Sequence, residues 1–218
     1  MKLYGHWRSL ATLRVRIALN LKGIATEDAY VDLSKGEQLT DAYRKINPEM
    51  MLPTLVDGDG PPLFQSLAII EYLDETHPTP PLLPKEPRAR ARVRGLAMIH
   101  AADSHPLLVP RVRNFFEREF KLDEAQRLKW IHMVLTKGFE ALEANLTHDP
   151  GTGKFCQGDQ PTIADICLVA HSIGAGYFNV DTAPYPTARR IVDACMAIDA
   201  FARAHPLKQP DAPKGGAH

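Results

Sequence analysis

Cysteine is scarce in this chain. Three occur in 218 residues, Cys156, Cys167 and Cys195, and none stands in a CxxC spacing. So sparse and odd a count fits reduced thiols rather than a disulfide framework, and with no clustered histidine partners it speaks against a zinc site. An excess of charge is lacking too: 26 Lys and Arg balance 26 Asp and Glu, so no net field draws in nucleic acid or an anionic membrane. No apolar run reaches the roughly 18 residues that a bilayer-spanning helix requires. The opening Met-Lys-Leu-Tyr-Gly-His-Trp-Arg has no apolar core of a targeting segment. Internal repeats and low-complexity blocks are missing. The expectation is a soluble cytoplasmic protein that takes neither nucleic acid nor membrane as a partner. What is present is an ordinary globular mix, 44% hydrophobic and 24% charged, in a length that suits one large domain or two modest ones.

The first 80 or so residues alternate strand and helix signals. Strands are expected at 2–4, 29–33, 54–56 and 62–64, the last two around the turn Asp57-Gly58-Asp59-Gly60. Helices are expected at 12–22, stopped by Gly23, at 39–45, stopped before Asn47-Pro48, and at 66–77. The order β-α-β-α-β-β-α implies a mixed sheet that begins with a βαβ unit. Pro78-Thr79-Pro80-Pro81-Leu82-Leu83-Pro84 cannot continue a helix or central strand and is expected to mark a domain boundary. Beyond it the pattern is helical. One long helix is expected from Arg88 to about Phe120, bent near His105-Pro106 or Pro110. Others are expected from Asp123 to Leu146, from Thr162 to Ala175, and from Tyr185-Pro186 to about His205. The tail from Gln209, with Pro210, Pro213, Gly215 and Gly216, reads as loose. The domains are thus expected at 1–80 and 88–218.

Residues 47–72 carry the most chemistry. They combine an apolar residue ahead of a proline, Leu52-Pro53, a tight turn, and a helix opening on Gln65-Ser66. Such a segment exposes backbone donors and acceptors beside a helix N-terminus, where free N–H groups bind anions. That suits a small peptide bearing a carboxylate, and the ligand it suggests is glutathione.

Several runs together resemble the zeta class of cytosolic glutathione transferases, the maleylacetoacetate and maleylpyruvate isomerases. They are Trp7-Arg8-Ser9, Arg14-Val15-Arg16-Ile17-Ala18-Leu19, Leu52-Pro53-Thr54-Leu55 and Gln65-Ser66-Leu67-Ala68-Ile69-Ile70-Glu71-Tyr72-Leu73, then Gly158-Asp159, Thr162-Ile163-Ala164-Asp165, Pro184-Tyr185-Pro186 and Gln209-Pro210-Asp211. The likeness spans nearly the whole chain. It implies a thioredoxin-like α/β N-terminal domain that binds glutathione, an all-α C-terminal domain on the substrate side, glutathione as cofactor, a small-molecule substrate and a homodimer. One departure stands out. The family's usual Ser-Ser-Cys falls on Ser9-Leu10-Ala11, so the first serine stays while the second serine and the cysteine are gone. This weakens a reductive dehalogenase reading, which needs the cysteine.

The resemblance assigns roles residue by residue. Ser9 would stabilise the glutathione thiolate, with Thr12 as its substitute; on its own, Ser9 reads equally as a helix cap. Arg8 would contact a dicarboxylate substrate or glutathione, whereas Arg14 and Arg16 read as structural. Leu52-Pro53, with a cis bond, would pair its backbone with the cysteinyl unit. Gln65 and Ser66 would hold the γ-glutamyl carboxylate, and Gln38 would add a contact. On the helical side, His105 would reach glutathione or substrate, and Arg111 and Tyr177 stand near the family's carboxylate-binding positions; a lone histidine is also often structural. The implied activity is glutathione-dependent cis–trans isomerisation of a maleyl-type keto dicarboxylate in aromatic catabolism. General conjugation of electrophiles, glutathione binding without useful catalysis, and a non-enzymatic interaction module remain alternatives.

Overall fold

The computed structural model describes residues 1–214. Gly215 and Gly216, assigned above to a loose tail, lie outside the described residues. The chain divides into two compact units: residues 1–82 together with the segment from Ala197 onward, and Leu83–Met196.

The first unit is built on a four-stranded sheet of order β2-β1-β3-β4. β1 (Lys2–Gly5) runs parallel to β2 (Glu27–Tyr30) and antiparallel to β3 (Thr54–Val56), which pairs antiparallel with β4 (Leu63–Phe64). Helix α1 (Leu10–Leu21) connects the parallel pair, α2 (Asp41–Arg44) precedes β3, and α3 (Ser66–Thr76) follows β4. Helix α1 is buried from Leu10 through Leu19 and packs on α3, so its apolar positions meet Ile69, Ile70 and Leu73 in a core completed by Leu3 and Leu55. Gly5 has a steric reason: a Cβ there would stand 2.5 Å from the Thr12 methyl group, so only glycine lets α1 lie this close to β1.

The end of α1 is fastened by a buried cation. Lys22, whose side chain is 0% exposed, places its ammonium 2.8 Å from Asp74 and donates to the carbonyls of His77 (2.6 Å) and Pro80 (2.9 Å). Three acceptors satisfy the three N–H groups of a desolvated lysine, and they tie α1 to the end of α3 and to the proline-rich segment.

The second unit is helical: α4 (Pro87–Met98), α5 (Pro110–Glu119), α6 (Glu124–His148), α7 (Ile163–Tyr177) and α8 (Pro186–Met196). Helix α7 is buried on nearly every side. Its start is a reciprocal capping box in which Asp165 accepts from the Thr162 backbone and hydroxyl at 2.8 Å each, and also from the Cys156 N–H at 2.7 Å. Burial raises the Asp165 pKa despite these bonds. All three cysteines are buried and form no disulfide, and burial pushes the Cys156 thiol up, as for packing residues.

Four expectations are corrected. The long helix from 88 to 120 is instead α4, a π turn at Ile99–Ser104, a 3-10 turn at His105–Leu107 and a separate α5. Pro106 and Pro110 lack the N–H needed to continue an α-helical ladder through this stretch. The helix from 186 stops at Met196, because Ile198 is extended (φ −91°, ψ 126°), and a short α9 (Asp199–Ala202) follows. The second strand begins earlier, at Glu27. The C-terminal segment belongs with the first unit rather than the helical one. Helix α9 packs on α1, Asn20 donates to the Ala200 carbonyl at 2.9 Å, and the Trp7 N–H donates to Asp211 at 2.7 Å, so the tail to Ala212 is tied down.

Candidate active site

The sheet register gathers the candidate residues of the first unit. Tyr4 stands opposite Thr54, and Thr54 opposite Phe64. The chain leaves β1 after Gly5, enters β3 at Thr54 and leaves β4 after Phe64, all at one end of the sheet. The loop bearing Arg8 and Ser9, the Leu52-Pro53 segment and the Gln65-Ser66 turn therefore emerge side by side.

Ser9 is the N-cap of α1, and its Oγ accepts from the Thr12 N–H at 3.2 Å. This confirms the capping reading, and it leaves the hydroxyl proton available to donate, since an accepting oxygen keeps its own O–H. The free N–H groups of the first helical turn add partial positive charge beside it. Leu10 and Ala11 face inward, each 8% exposed, so they supply no polar group at this helix start. Thr12 is 0% exposed, with its Oγ1 buried and unpaired; it has no surface through which to touch a ligand, unlike the substitute role expected of it. Arg8 is exposed, its guanidinium carbon 6.0 Å from the Trp7 ring centroid. Arg14 and Arg16 are buried in α1 at 3% and 7% exposure, in keeping with structural positions.

The Leu52–Pro53 bond is cis. The Leu52 side chain is core, packed with Val31 and Tyr43. Among the described residues its backbone N–H and C=O have no hydrogen-bond partner. Buried backbone groups are normally paired, so a donor and an acceptor left open at one residue fit an extended ligand that pairs as a strand does. Two side chains hold this segment still. The Tyr43 hydroxyl and the Asn47 amide both donate to the Met51 carbonyl, at 2.8 and 3.1 Å, and both contact the Thr54 hydroxyl.

Gln65, not Ser66, is the N-cap of α3; it makes no side-chain cap bond and has φ +65°, a left-handed conformation that a residue with a Cβ rarely adopts. Ser66 is the first helical residue, 4% exposed. The first bond of the helical ladder is Ile69 N–H to the Gln65 carbonyl, at 3.0 Å, so the N–H groups of Ser66, Leu67 and Ala68 precede it and stand ready for an anion. The Gln65 amide donates to Glu49 at 2.7 Å, which links this turn to the Leu52 segment. Glu49 was not singled out by sequence, and a lone acidic residue in a loop offers no signal for it. Gln38 lies half-buried in the 3-10 turn Glu37–Leu39, with Oε1 buried and unpaired.

The remaining candidates belong to the second unit. His105 opens the 3-10 turn, its ring 5.4 Å from that of His100. Arg111 is exposed in the first turn of α5, and Tyr177 is half-buried at the last position of α7. Arg113, which the sequence reading passed over, is half-buried two residues further along α5, its guanidinium carbon 5.6 Å from the ring of Phe178, the neighbour of Tyr177. No group of His, Cys, Asp and Glu among the described residues has the arrangement of a metal site.

Comparison with known proteins agrees with this geometry. Residues 3–81 match the family described as glutathione S-transferase, N-terminal domain. The chain is 46% identical to a maleylpyruvate isomerase from a Ralstonia species, over 97% of this chain and 99% of that one. It superposes on the crystal structure of a maleylacetoacetate isomerase from Methylobacterium extorquens AM1 with bound malonate and glutathione (TM-score 0.96, 52% identity, 98% of this chain and 100% of that one). It superposes equally on the holo structure of a bacterial zeta-class maleylpyruvate isomerase (TM-score 0.95, 45% identity, 98% and 100%). A thioredoxin-like unit with an open backbone site, joined to a helical unit, is the build of a cytosolic glutathione transferase. The chain belongs to the zeta-class glutathione transferase family, among the maleylacetoacetate and maleylpyruvate isomerases.

Proposed function

We propose that this protein is an enzyme that isomerises the cis double bond of a maleyl-type keto dicarboxylate, maleylacetoacetate or maleylpyruvate, to the trans form, with glutathione as its cofactor. The observation that carries the reading is the backbone N–H and C=O of Leu52, without a hydrogen-bond partner among the described residues, at the same sheet end as the N-terminus of α3. That pairing of features fits a γ-glutamyl peptide: strand-like partners for its centre and an anion site for its terminal carboxylate. Relatives crystallised with glutathione support it.

Bound glutathione supplies a sulfur nucleophile that adds to the activated double bond and later departs, so that rotation becomes possible in between. The chain's own task is electrostatic. The Ser9 O–H donates toward the sulfur, and the α1 N-terminus favours its ionised form. Leu52 and Ser66 fix the peptide so that no entropy of orientation is left to lose at the reacting centre. Arg8 pairs with a substrate carboxylate in this reading, and Arg111 and Tyr177 are the further candidates for carboxylate recognition. The enzyme acts as a cytoplasmic homodimer in aromatic catabolism.

The test is isomerisation of both keto dicarboxylates with and without glutathione. Dependence of the rate on glutathione is expected; equal rates in its absence refute the reading. Conjugation of electrophiles is the second reading, favoured by the apolar Leu10 and Ala11 at the helix start, and turnover of a chloronitroaromatic exceeding that of either keto acid would select it.

A further inference from the structure

The loop that carries Arg8 and Ser9 runs from the end of β1 into the start of α1. Its own backbone closes one turn, Ser9 N–H to the His6 carbonyl at 3.1 Å, and Arg16 reaches that carbonyl only at 3.5 Å. The firm contact comes from far along the chain. The Trp7 N–H donates to Oδ2 of Asp211 at 2.7 Å, across 204 residues. Asp211 is itself presented by a built turn. The Gln209 amide donates to the carbonyls of Arg203 and His205, both at 3.0 Å, and the Ala212 N–H closes on the Gln209 carbonyl at 3.0 Å.

This carboxylate is an expensive choice for a fastener. Its side chain is 12% exposed, and Oδ1 is buried with no hydrogen-bond partner among the described residues. His6 Nδ1 lies 3.9 Å from Oδ2, and burial lowers the His6 pKa, so near neutral pH it offers no full counter-charge. A group that only anchored the tail would do so at less desolvation cost as a neutral side chain. What the carboxylate adds is a short charge-assisted bond that fixes one peptide plane. That plane lies two residues before Ser9.

We infer that Asp211 is a positioning residue for the thiolate site: by holding the Trp7 amide it sets where the Ser9 hydroxyl and the start of α1 point. The inference rests on the role proposed above for Ser9.

The experiment is an ultraviolet thiolate titration of glutathione bound to the wild-type protein and to its Asp211→Ala and Asp211→Asn variants, with thermal melts and kcat against pH. In Asp211→Ala the apparent pKa of the bound thiol rises by about one unit and kcat near neutral pH falls roughly tenfold. Asp211→Asn keeps a carbonyl oxygen for the Trp7 N–H but loses the charge assistance, and is expected to recover part of both. A folded Asp211→Ala protein with a lower melting temperature and an unchanged thiol titration would overturn the inference, since the residue would then serve stability alone. So would an Asp211→Asn titration displaced as far as that of alanine, which would make the charge, not the amide bond, the operative feature. If alanine prevents folding, the asparagine arm and Asp211→Glu, which displaces the acceptor and is expected to shift the titration, decide. A wild-type complex without any thiolate signal instead removes the glutathione reading itself.

Discussion

The Gln65 side-chain amide donates to the Glu49 carboxylate at 2.7 Å, and this bond joins the two backbone segments that the glutathione reading requires to act together. Gln65 has φ +65° and Leu52 follows Glu49 by three residues, so the bond holds an unfavourable backbone conformation beside an unpaired one. Such conformations persist where neighbouring structure over-determines them, and they gather at ligand sites.

Glu49→Ala is expected to weaken glutathione binding rather than turnover at saturation. An exposed hydrogen bond of this kind contributes about 0.5–1.5 kcal/mol, which corresponds to a two- to tenfold rise in the dissociation constant. Calorimetric titration reads it directly; an unchanged constant would mean that Gln65 keeps its conformation without Glu49.

Ser9→Ala removes both a cap and a donor. The loss of the cap is expected to cost about 1 kcal/mol of stability, measured by urea unfolding without ligand. Loss of the donor is expected to raise the apparent pKa of the bound thiol by about a unit. If the thiol titration stays where it is, the α1 N-terminus alone ionises the sulfur.

Lys22→Met tests the buried fastener. Removing the ammonium leaves the carbonyls of His77 and Pro80 without this donor and Asp74 with the Leu82 N–H alone, at 2.8 Å, and breaking a buried pair in this way destabilises by about 3–5 kcal/mol. Asp74 is 12% exposed, so water relieves part of the loss and the lower end is expected. The double variant Lys22→Met/Asp74→Leu should recover some of it.

His171 makes stability depend on pH. Its Nε2 lies 3.1 Å from the Leu135 carbonyl, which accepts only, so Nε2 carries the proton; Nδ1 then accepts from His100 at 2.9 Å. Burial lowers the His171 pKa to about 4, below its ordinary 6.5. Between these values the unfolded chain binds a proton that the folded one does not. Stability is therefore fully present above pH 6.5 and declines toward pH 4, by up to about 1.4 kcal/mol per pH unit from this ring. Denaturation series at pH 7 and pH 5 should show a drop that is smaller in His171→Gln. Equal drops would show that His100 takes up the proton in its place.

Much of the first unit was legible because its signals are local. The turn at 57–60 spans four residues, and the stops at Gly23 and Pro78 act on their immediate neighbours. The helix over 88–120 was misread because periodic apolar residues continue through Pro106 and Pro110, and the pattern does not say whether a proline bends a helix or ends it. Ser66 was legible as the opening of α3, but the positive φ of Gln65 before it was not, because a glutamine gives no compositional sign of that backbone conformation.

By itself the sequence determined the element order, the two-part build and the runs that mark the family, since each depends on neighbours within a few positions or on side-chain type. Only the tertiary structure decided that Asp211 serves the Trp7 amide, that Lys22 closes on Asp74, that His100 faces His171 and that the C-terminal segment returns to the first unit. Those are choices of partner for buried polar groups, made across 52 to 204 residues, and the physical rule that such groups must be paired does not specify with whom.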